Sequence, residues 1–202
     1  PLAISDDALR LAVIGKLGWI KRQQAKFAAQ PRQAEREMVS GESHYLLGRR
    51  YRLRVVEHAG AGQVELKGRA TLELRVRRDA DASDRERVLQ RWYRAHLRQL
   101  IPPLLTKWEA KLGVQAAAWG IKKMKTKWGA CNVDAGRIWL NLELAKKPVR
   151  CLEYLIVHEL NHLIERQHNE RFISLMDRHL PDWRHRRQEL NAAPLNHESW
   201  SY

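Results

Sequence analysis

Cysteine is scarce in this sequence, as are long apolar runs and acidic residues relative to basic ones. The two cysteines, Cys131 and Cys151, are too few for a zinc ribbon or a disulfide framework, and they favour a reducing, cytoplasmic setting. No apolar run approaches the roughly 18 residues that cross a bilayer, so we expect no membrane partner. Asp6 and Asp7 precede the first apolar stretch, which is not the pattern of a secretory signal.

The excess of basic residues narrows the classes of partner. The 202 residues include 37 Lys and Arg against 23 Asp and Glu, for a net charge of +14. A charge of this size is typical of nucleic-acid binders, and it also suits anionic small substrates. Because the basic residues are spread along the chain, a solvated basic surface is the simplest interpretation. The hydrophobic content of 44% is enough for one core and excludes a disordered chain.

Hydrophobic periodicity in the first half predicts helices around a small sheet. A helical pattern begins at Ser5 and continues to about Glu37, with apolar residues on one face (Leu9, Val13, Leu17 and Ile20). Four short antiparallel strands follow, within residues 44–48, 51–56, 63–67 and 71–76. A long helix begins at Ser83 or Asp84, is interrupted at Pro102-Pro103 and ends at Gly113.

The second half combines two strands with three helices. Residues 115–124 and 137–142 predict the strands, and Pro148 precedes a strongly apolar helix that extends to about Glu165. Two further helices cover residues 169–180 and 182–192. We therefore expect an α+β chain with a small antiparallel sheet, in which residues 1–112 and 113–202 are two parts of one compact unit.

The apolar helix contains the residues with the clearest chemistry, in the pattern HExxH. Residues i and i+4 share a helix face, so His158 and His162 can bind one metal ion. Glu159 lies beside them and can take a proton from water at that metal. This spacing is typical of zinc hydrolases and predicts Zn2+ as the cofactor. A merely structural role is disfavoured, because two histidines and a glutamate are costly to bury on an apolar helix.

A catalytic zinc normally takes a third protein ligand and leaves one position for water. His168 is favoured, because the three histidines then have the ligand spacing of the metzincin signature HExxHxxGxxH. His179 is the alternative, although it lies on a helical face more typical of packing. Glu165 replaces the glycine of that signature, and Met176 comes too early for a Met-turn. The chain is therefore not an ordinary metzincin.

Several segments together resemble the YgjP-like zinc metallopeptidase family of bacterial cytoplasmic proteins, which has a zincin-type catalytic core. The resemblance extends from about Ile20 onward, and the segments that carry it are Lys125-Thr126-Lys127-Trp128-Gly129-Ala130-Cys131, Ile138-Trp139-Leu140-Asn141, Val157 to Leu163, His168 to Phe172 and Pro181-Asp182-Trp183. It implies that zinc is bound by His158, His162 and His168, with Glu159 as general base. Ala130 stands where members usually have serine, which puts any role of that hydroxyl in substrate binding in doubt.

Basic residues are concentrated before the predicted site. Between Trp119 and Arg150 only Asp134 and Glu143 oppose eight lysines and arginines. In zincins the strand beside the active-site helix lines the substrate cleft, so basic residues on either predicted strand would face an anionic ligand. Edge-strand lysines that only keep a sheet soluble are the alternative interpretation. The candidate substrate-binding residues are Lys125, Lys127, Trp128, Arg137 and Asn141.

The leading hypothesis is a zinc-dependent hydrolase, most simply a metallopeptidase that acts on peptides with Glu159 activating water. A Lewis acid serves phosphoryl oxygens as well as carbonyls, so a zinc-dependent phosphoanhydride hydrolase acting on nucleotides is the first alternative. The second alternative is a basic nucleic-acid-associated module, in which the charge matters more than the metal.

Overall fold

The computed structural model describes residues 5–29 and 36–192. Over these residues the chain is a mixed α+β structure with two small sheets and five α-helices. Its strands are β1 (Ser43–Leu46), β2 (Arg49–Glu57), β3 (Gln63–Lys67), β4 (Thr71–Val76), β5 (Ala118–Lys122), β6 (Gly129–Asn132) and β7 (Arg137–Asn141). Its helices are α1 (Asp6–Ala29), α2 (Ala82–Leu112), α3 (Val149–Asn161), α4 (Glu170–His179) and α5 (Trp183–Ala192), with a 3-10 helix at Leu142–Lys146. None of the described helices is long and apolar enough to cross a membrane.

The first sheet has the strand order β1-β2-β4-β3, and one of its pairings differs from the prediction. β3 and β4 form an antiparallel hairpin, but β2 pairs with β4 in parallel, with Leu53 opposite Leu72. The expectation of a purely antiparallel sheet is therefore wrong. The physical reason is burial. Leu72 and Leu74 of β4 are fully buried, whereas every residue of β3 is at least partly exposed, so placing β4 in the centre buries more apolar surface.

The long helix α2 passes through its two prolines without a break, contrary to the prediction. Pro102 and Pro103 lie on the exposed side, where water can hydrate the carbonyl groups that lose their N–H partners one turn earlier. On the opposite side Ile101 and Leu105 are buried and hold the helix against the core. The helix ends as predicted at Gly113, whose φ of 68° is left-handed.

The start of α2 is fixed by a capping box, one residue before the predicted range. The Asp81 carboxylate accepts a hydrogen bond from the Asp84 N–H at 2.8 Å, and the Asp84 carboxylate accepts one from the Asp81 N–H at 3.3 Å. The buried face of α2 contacts β3 and β4 on one side, and the 3-10 helix and α3 on the other. One helix thus supports both the first sheet and the segment that contains the HExxH residues.

The turn between β1 and β2 connects the first sheet to the second half of the chain. The Leu47 N–H donates to the Ala145 carbonyl at 2.8 Å, and the Gly48 N–H donates to the Lys146 carbonyl at 3.1 Å. A Cβ on Gly48, whose φ is 83°, would lie 2.8 Å from Cγ of Pro148. The turn is therefore packed directly against the residue that precedes α3.

The second sheet has the order β5-β7-β6, so β7 is central and β6 is an edge strand. The two predicted strands are present as β5 and β7, and they pair in parallel. β6 was not predicted, because it has only four residues before the turn at residues 133–136. Both β6 and β7 contact α3.

Helix α1 begins where its cap predicts, with the Ser5 hydroxyl accepting a hydrogen bond from the Ala8 N–H at 3.3 Å. The expected burial of its apolar face is wrong. Three of the four predicted positions are exposed: Leu9 (57%), Val13 (49%) and Leu17 (43%). The reason is that no other element within the described residues packs closely against α1, and the apolar residues on its other sides (Leu11, Ile14 and Trp19) are exposed as well. The predicted extension towards Glu37 crosses residues 30–35, which lie outside the described part, and Glu37 itself is not helical.

Candidate metal centre

Helix α3 ends at Asn161, four residues earlier than predicted, and the chain then makes a tight turn. The Leu163 N–H donates to the Leu160 carbonyl at 3.0 Å, and the Glu165 N–H donates to the Asn161 carbonyl at 2.8 Å. His162 is the first residue after the helix and keeps helical backbone angles. It therefore stays one turn above His158, with the two ring centroids 4.9 Å apart.

The turn after α3 returns the chain so that three imidazoles meet. One ring nitrogen from each of His158, His162 and His168 lies within 4.8 Å of the others, and Nε2 of His168 is 3.1 Å from Nε2 of His158. Phe172 of α4 packs against all three rings, at centroid distances of 4.7–5.0 Å. Among the described residues this is the one group of three or more potential ligand side chains that could hold a metal.

The chemistry of this donor set fits zinc. Three neutral imidazoles with one open coordination position are a common arrangement for a catalytic zinc. Nδ1 of His162 lies 3.2 Å from the Glu165 carbonyl oxygen, an interaction that fixes Nε2 as the free ligand atom. The preference for His168 over His179 agrees with the geometry, because His179 is not part of the cluster.

Burial favours the uncharged form of the His158 and His162 imidazoles, which is the form that a metal requires. It lowers the pKa of His158 to about 3, with smaller contributions from His162 and His168. Burial also lowers the pKa of His162. Metal ions compete with protons for the same nitrogen atoms, so this environment favours metal binding at neutral pH.

The Glu159 carboxyl group lies against β6 of the second sheet, and Glu159 directly follows His158 in the sequence. Its residue is 4% exposed, and its carboxylate faces the backbone of Gly129. Burial raises the pKa of Glu159 to about 8, and the positive charge of Lys127 acts in the opposite direction. A pKa close to neutral is the range in which a carboxyl group can both accept and return a proton.

Cys131 of β6 is close enough to Glu159 for their charges to interact. Burial, and then the Glu159 carboxylate, raises the pKa of the Cys131 thiol to about 11. The thiol is therefore protonated near neutral pH, and it lies outside the histidine cluster. Cys131 therefore has the character of a small, partly buried hydrophobic residue.

The candidate substrate-binding residues are divided between surface and interior. Lys125, Lys127 and Trp128 lie on the loop between β5 and β6, and the charge of Lys127 reaches Glu159. Trp128 is half-buried, with the ammonium group of Lys147 5.3 Å from its ring centroid. The part of this loop at Lys127 therefore faces the candidate site.

Asn141 and Arg137, the other two candidate substrate-binding residues, lie in different surroundings from each other. Asn141 is 1% exposed, and its amide donates to the Met124 carbonyl at 2.9 Å and to the Lys127 carbonyl at 2.7 Å. Its role is to hold the loop. Arg137 is exposed at the start of β7, whereas Gly129, the residue against Glu159, pairs with Leu140. Arg137 is thus three strand positions, or about 10 Å, from that end of the sheet.

Two features of the surroundings were missed in the sequence. The edge strand β6 contacts α3 together with the predicted strand β7, but β6 itself was not predicted. Arg187 of α5 lies near enough to act on the pKa values of His158 and Tyr154. No local pattern points to Arg187, because it lies 29 positions after His158 in sequence and is brought near it only by the packing of α5 on α3.

Three converging imidazoles, a buried carboxyl group and an open sheet edge on an α+β fold are the parts of a metal-dependent hydrolase. The comparison with known families agrees with this class. The family model "YgjP-like, metallopeptidase domain" matches residues 1–193. The match covers nearly the whole chain, and the protein therefore belongs to the YgjP-like family. No curated protein matches the chain.

Proposed function

We propose that this protein is a zinc-dependent metallopeptidase, in which His158, His162 and His168 hold the metal and Glu159 is the general base. The observation that supports the proposal most directly is the convergence of the three ring nitrogens within 4.8 Å, on the same helix and turn as the buried Glu159. Family membership supports the same class of activity.

Bound zinc would supply Lewis acidity at the scissile carbonyl and to the attacking water. Glu159 accepts the proton of that water and returns it to the leaving nitrogen, as a general base that becomes a general acid. The backbone of Gly129 lies against the carboxyl group and limits the directions in which it can turn. Phe172 packs against the three imidazoles and restricts their rings to one arrangement.

The edge strand β6 supports a peptide substrate. An edge strand has backbone N–H and C=O groups on its outer side, and an extended peptide can pair with them. β6 contacts α3 and begins at Gly129, so a peptide paired with it would pass Glu159. The charge of Lys127 at the same end favours a substrate with acidic groups near the scissile bond.

A phosphoanhydride of a nucleotide is the second candidate substrate. The observation that favours it is positive charge on two sides of the site, since Lys127 acts on Glu159 and Arg187 acts on His158. Two such charges suit the oxygens of a polyphosphate, which a Lewis acid also activates.

The test begins with the metal content of untagged protein, purified without added metal or chelator. We expect about one zinc per chain. Cleavage of an unstructured protein and release of phosphate from nucleotides are then measured in parallel. Glu159→Gln should keep its zinc and lose roughly 100- to 10,000-fold in activity, while Glu57→Gln, at an exposed site, should be unchanged.

Three results would contradict the proposal. If the protein binds no zinc after reconstitution, the three histidines do not form a zinc site. If Glu159→Gln has undiminished turnover, Glu159 is not the general base. Hydrolysis of nucleotides without cleavage of any peptide would replace the metallopeptidase with the second candidate.

A further inference from the structure

The outer side of the first sheet is an open surface with a row of arginines. Arg50, Arg52 and Arg54 are alternate residues of β2, and all three are exposed. Tyr45 of β1 is directly opposite Arg50 and is 36% exposed. Thr71 of β4 is opposite Arg52. We call these five residues the arginine face.

The arginine face is held in place by the core beneath it. Tyr51 and Leu53, which alternate with the arginines, are 6% and 2% exposed and belong to the core. The hydroxyl of Tyr93 in α2 donates to the Tyr45 carbonyl at 2.7 Å, which fixes the backbone of β1. The positions of the arginines along the sheet are therefore set before any ligand arrives.

Two of these arginines have guanidinium groups available for a ligand. Arg54 lies 3.9 Å from the Glu73 carboxylate, which also accepts from Arg75 at 2.9 Å. Within residues 5–29 and 36–192, the side chains of Arg50 and Arg52 form no ion pair or hydrogen bond. A guanidinium offers five N–H donors in a planar fork that matches phosphate oxygens. The carboxylates on the same side of the sheet, Glu73 and Glu65, are already paired with other cations (Arg54, Arg75 and Lys67). Among the described residues, Arg50 and Arg52 therefore remain as the unpaired cationic donors of the face.

The spacing of the arginines, the ring of Tyr45 and the width of the sheet favour a single nucleic-acid strand over other polyanions. Successive arginines on one side of a strand are about 6.8 Å apart, so they can contact separate phosphates of one extended backbone. Tyr45 adds an aromatic ring on which a base can stack. The four strands span roughly 14 Å from β1 to β3. The major groove of a duplex is about 12 Å wide, so the sheet as a whole is too wide to enter it. An acidic peptide could pair with the arginines, but it has no base to stack on the ring of Tyr45.

We propose that the arginine face binds single-stranded nucleic acid, with Arg50 and Arg52 on phosphates and Tyr45 stacked on a base. This binding uses neither the histidine cluster nor Glu159, and it is independent of the proposed peptidase. It would place a nucleic-acid strand on the first sheet while the candidate metal centre lies against the second sheet.

The test is fluorescence anisotropy with a labelled 20-nucleotide single strand at several salt concentrations. The variant Arg50→Gln/Arg52→Gln is compared with Arg91→Gln/Arg98→Gln, which removes the same charge from two exposed arginines of α2. We expect the first pair to weaken binding at least tenfold and to reduce the salt slope by about 1.4, or 0.7 per lost phosphate contact. Tyr45→Ser should weaken binding roughly tenfold, and Tyr45→Phe should retain it.

The same assay contains the results that would overturn the proposal. Equal weakening by the α2 pair would show that only the overall charge matters. A duplex that binds as tightly as the single strand would exclude the stacking role of Tyr45. Poly-glutamate that displaces the oligonucleotide at equal concentration of charges would identify an acidic protein segment as the better partner. All five substituted positions are exposed, and unchanged thermal unfolding confirms that the variants are folded.

Discussion

The carboxylate of Glu159 lies directly against the backbone of Gly129. A Cβ at residue 129 would stand 2.5 Å from Oε1 of Glu159 and 3.0 Å from its Cδ. Both distances are shorter than the normal contact between non-bonded atoms. The edge strand and the HExxH residues are therefore fitted to each other at a position where only glycine leaves room for the carboxyl group.

Gly129→Ala should displace the Glu159 carboxyl group without removing a metal ligand. We expect the variant to bind zinc as the wild type does and to lose roughly 100-fold in activity, since a misplacement of about 1 Å has effects of that size. Metal analysis and turnover are measured on the same sample. Gly15→Ala is the control, because a Cβ there meets no atom within 4 Å. Wild-type turnover by Gly129→Ala would show that the position of Glu159 is not critical.

Two variants, His168→Ala and His179→Ala, distinguish between the two candidates for the third metal ligand. His168 lies within the imidazole cluster, whereas His179 is at the end of α4 and outside it. We expect the zinc content of His168→Ala to fall well below one per chain and that of His179→Ala to stay near one. The opposite pattern would assign the third ligand to His179.

Asn141→Ala should loosen the loop that carries Lys127. The lost amide leaves the carbonyl groups of Met124 and Lys127 without their donor inside the protein. We expect the free energy of unfolding to fall by about 2–3 kcal/mol and KM to rise more than kcat falls. Asn132→Ala is the control, since its side chain bonds one N–H in an exposed turn. A change in kcat alone would instead indicate that Asn141 contacts the reacting groups.

Glu153→Gln should reduce stability in a pH-dependent way. The Glu153 carboxylate accepts from Lys107 at 2.6 Å, from Arg186 at 2.7 Å and from Nε1 of Trp108 at 3.0 Å. Although burial opposes it, the hydrogen bonds from Lys107, Arg186 and Trp108 lower the pKa of Glu153 from 4.5 to about 2. Folding therefore favours the ionised form. We expect a loss of about 2 kcal/mol at neutral pH.

The pH dependence of that loss gives a second check on Glu153. Because the pKa is lower in the folded state, the stabilisation is fully present above pH 4.5 and disappears as the pH falls towards 2. Urea unfolding of wild type and Glu153→Gln across this range measures the difference. Glu57→Gln, whose ion pair with Arg78 is exposed, should show little change at any pH. A difference that stays constant down to pH 2 would contradict the assigned pKa.

Helix ends were predictable where a short local contact determines them. Ser5 caps α1, and the Asn169 side chain accepts from the Phe172 N–H at 3.0 Å at the start of α4. Gly113 ends α2 in the left-handed region. Each depends on residues within four positions of one another, so the sequence alone contains the information.

The errors in the fold arise from contacts between distant residues. The parallel pairing of Leu53 with Leu72 depends on which strand the core buries, and a local pattern does not contain that choice. The continuity of α2 through Pro102 depends on the side that faces water. The exposure of Leu9 depends on the absence of a partner surface within the described part of the chain.

The candidate site shows the same difference between features set by local sequence and features set by contacts between distant residues. The spacing of His158 and His162 on a helix was sufficient to bring their rings together. His168 was favoured on the metzincin ligand spacing, and its ring reaches the other two only through the turn that follows α3. The burial of Asn141 and the approach of Arg187 follow from tertiary packing, and residue type alone does not contain that information.

The contact of Gly48 with Pro148 determines where this chain can change its length. An additional residue in the turn between β1 and β2 would press on Pro148 and shift the start of α3, and with it the two histidines at the other end of that helix. The hairpin between β3 and β4 has no such neighbour, since a Cβ on Gly68 meets no atom within 4 Å. Relatives of this protein should therefore vary in length at the Gly68 hairpin and keep the Gly48 turn constant.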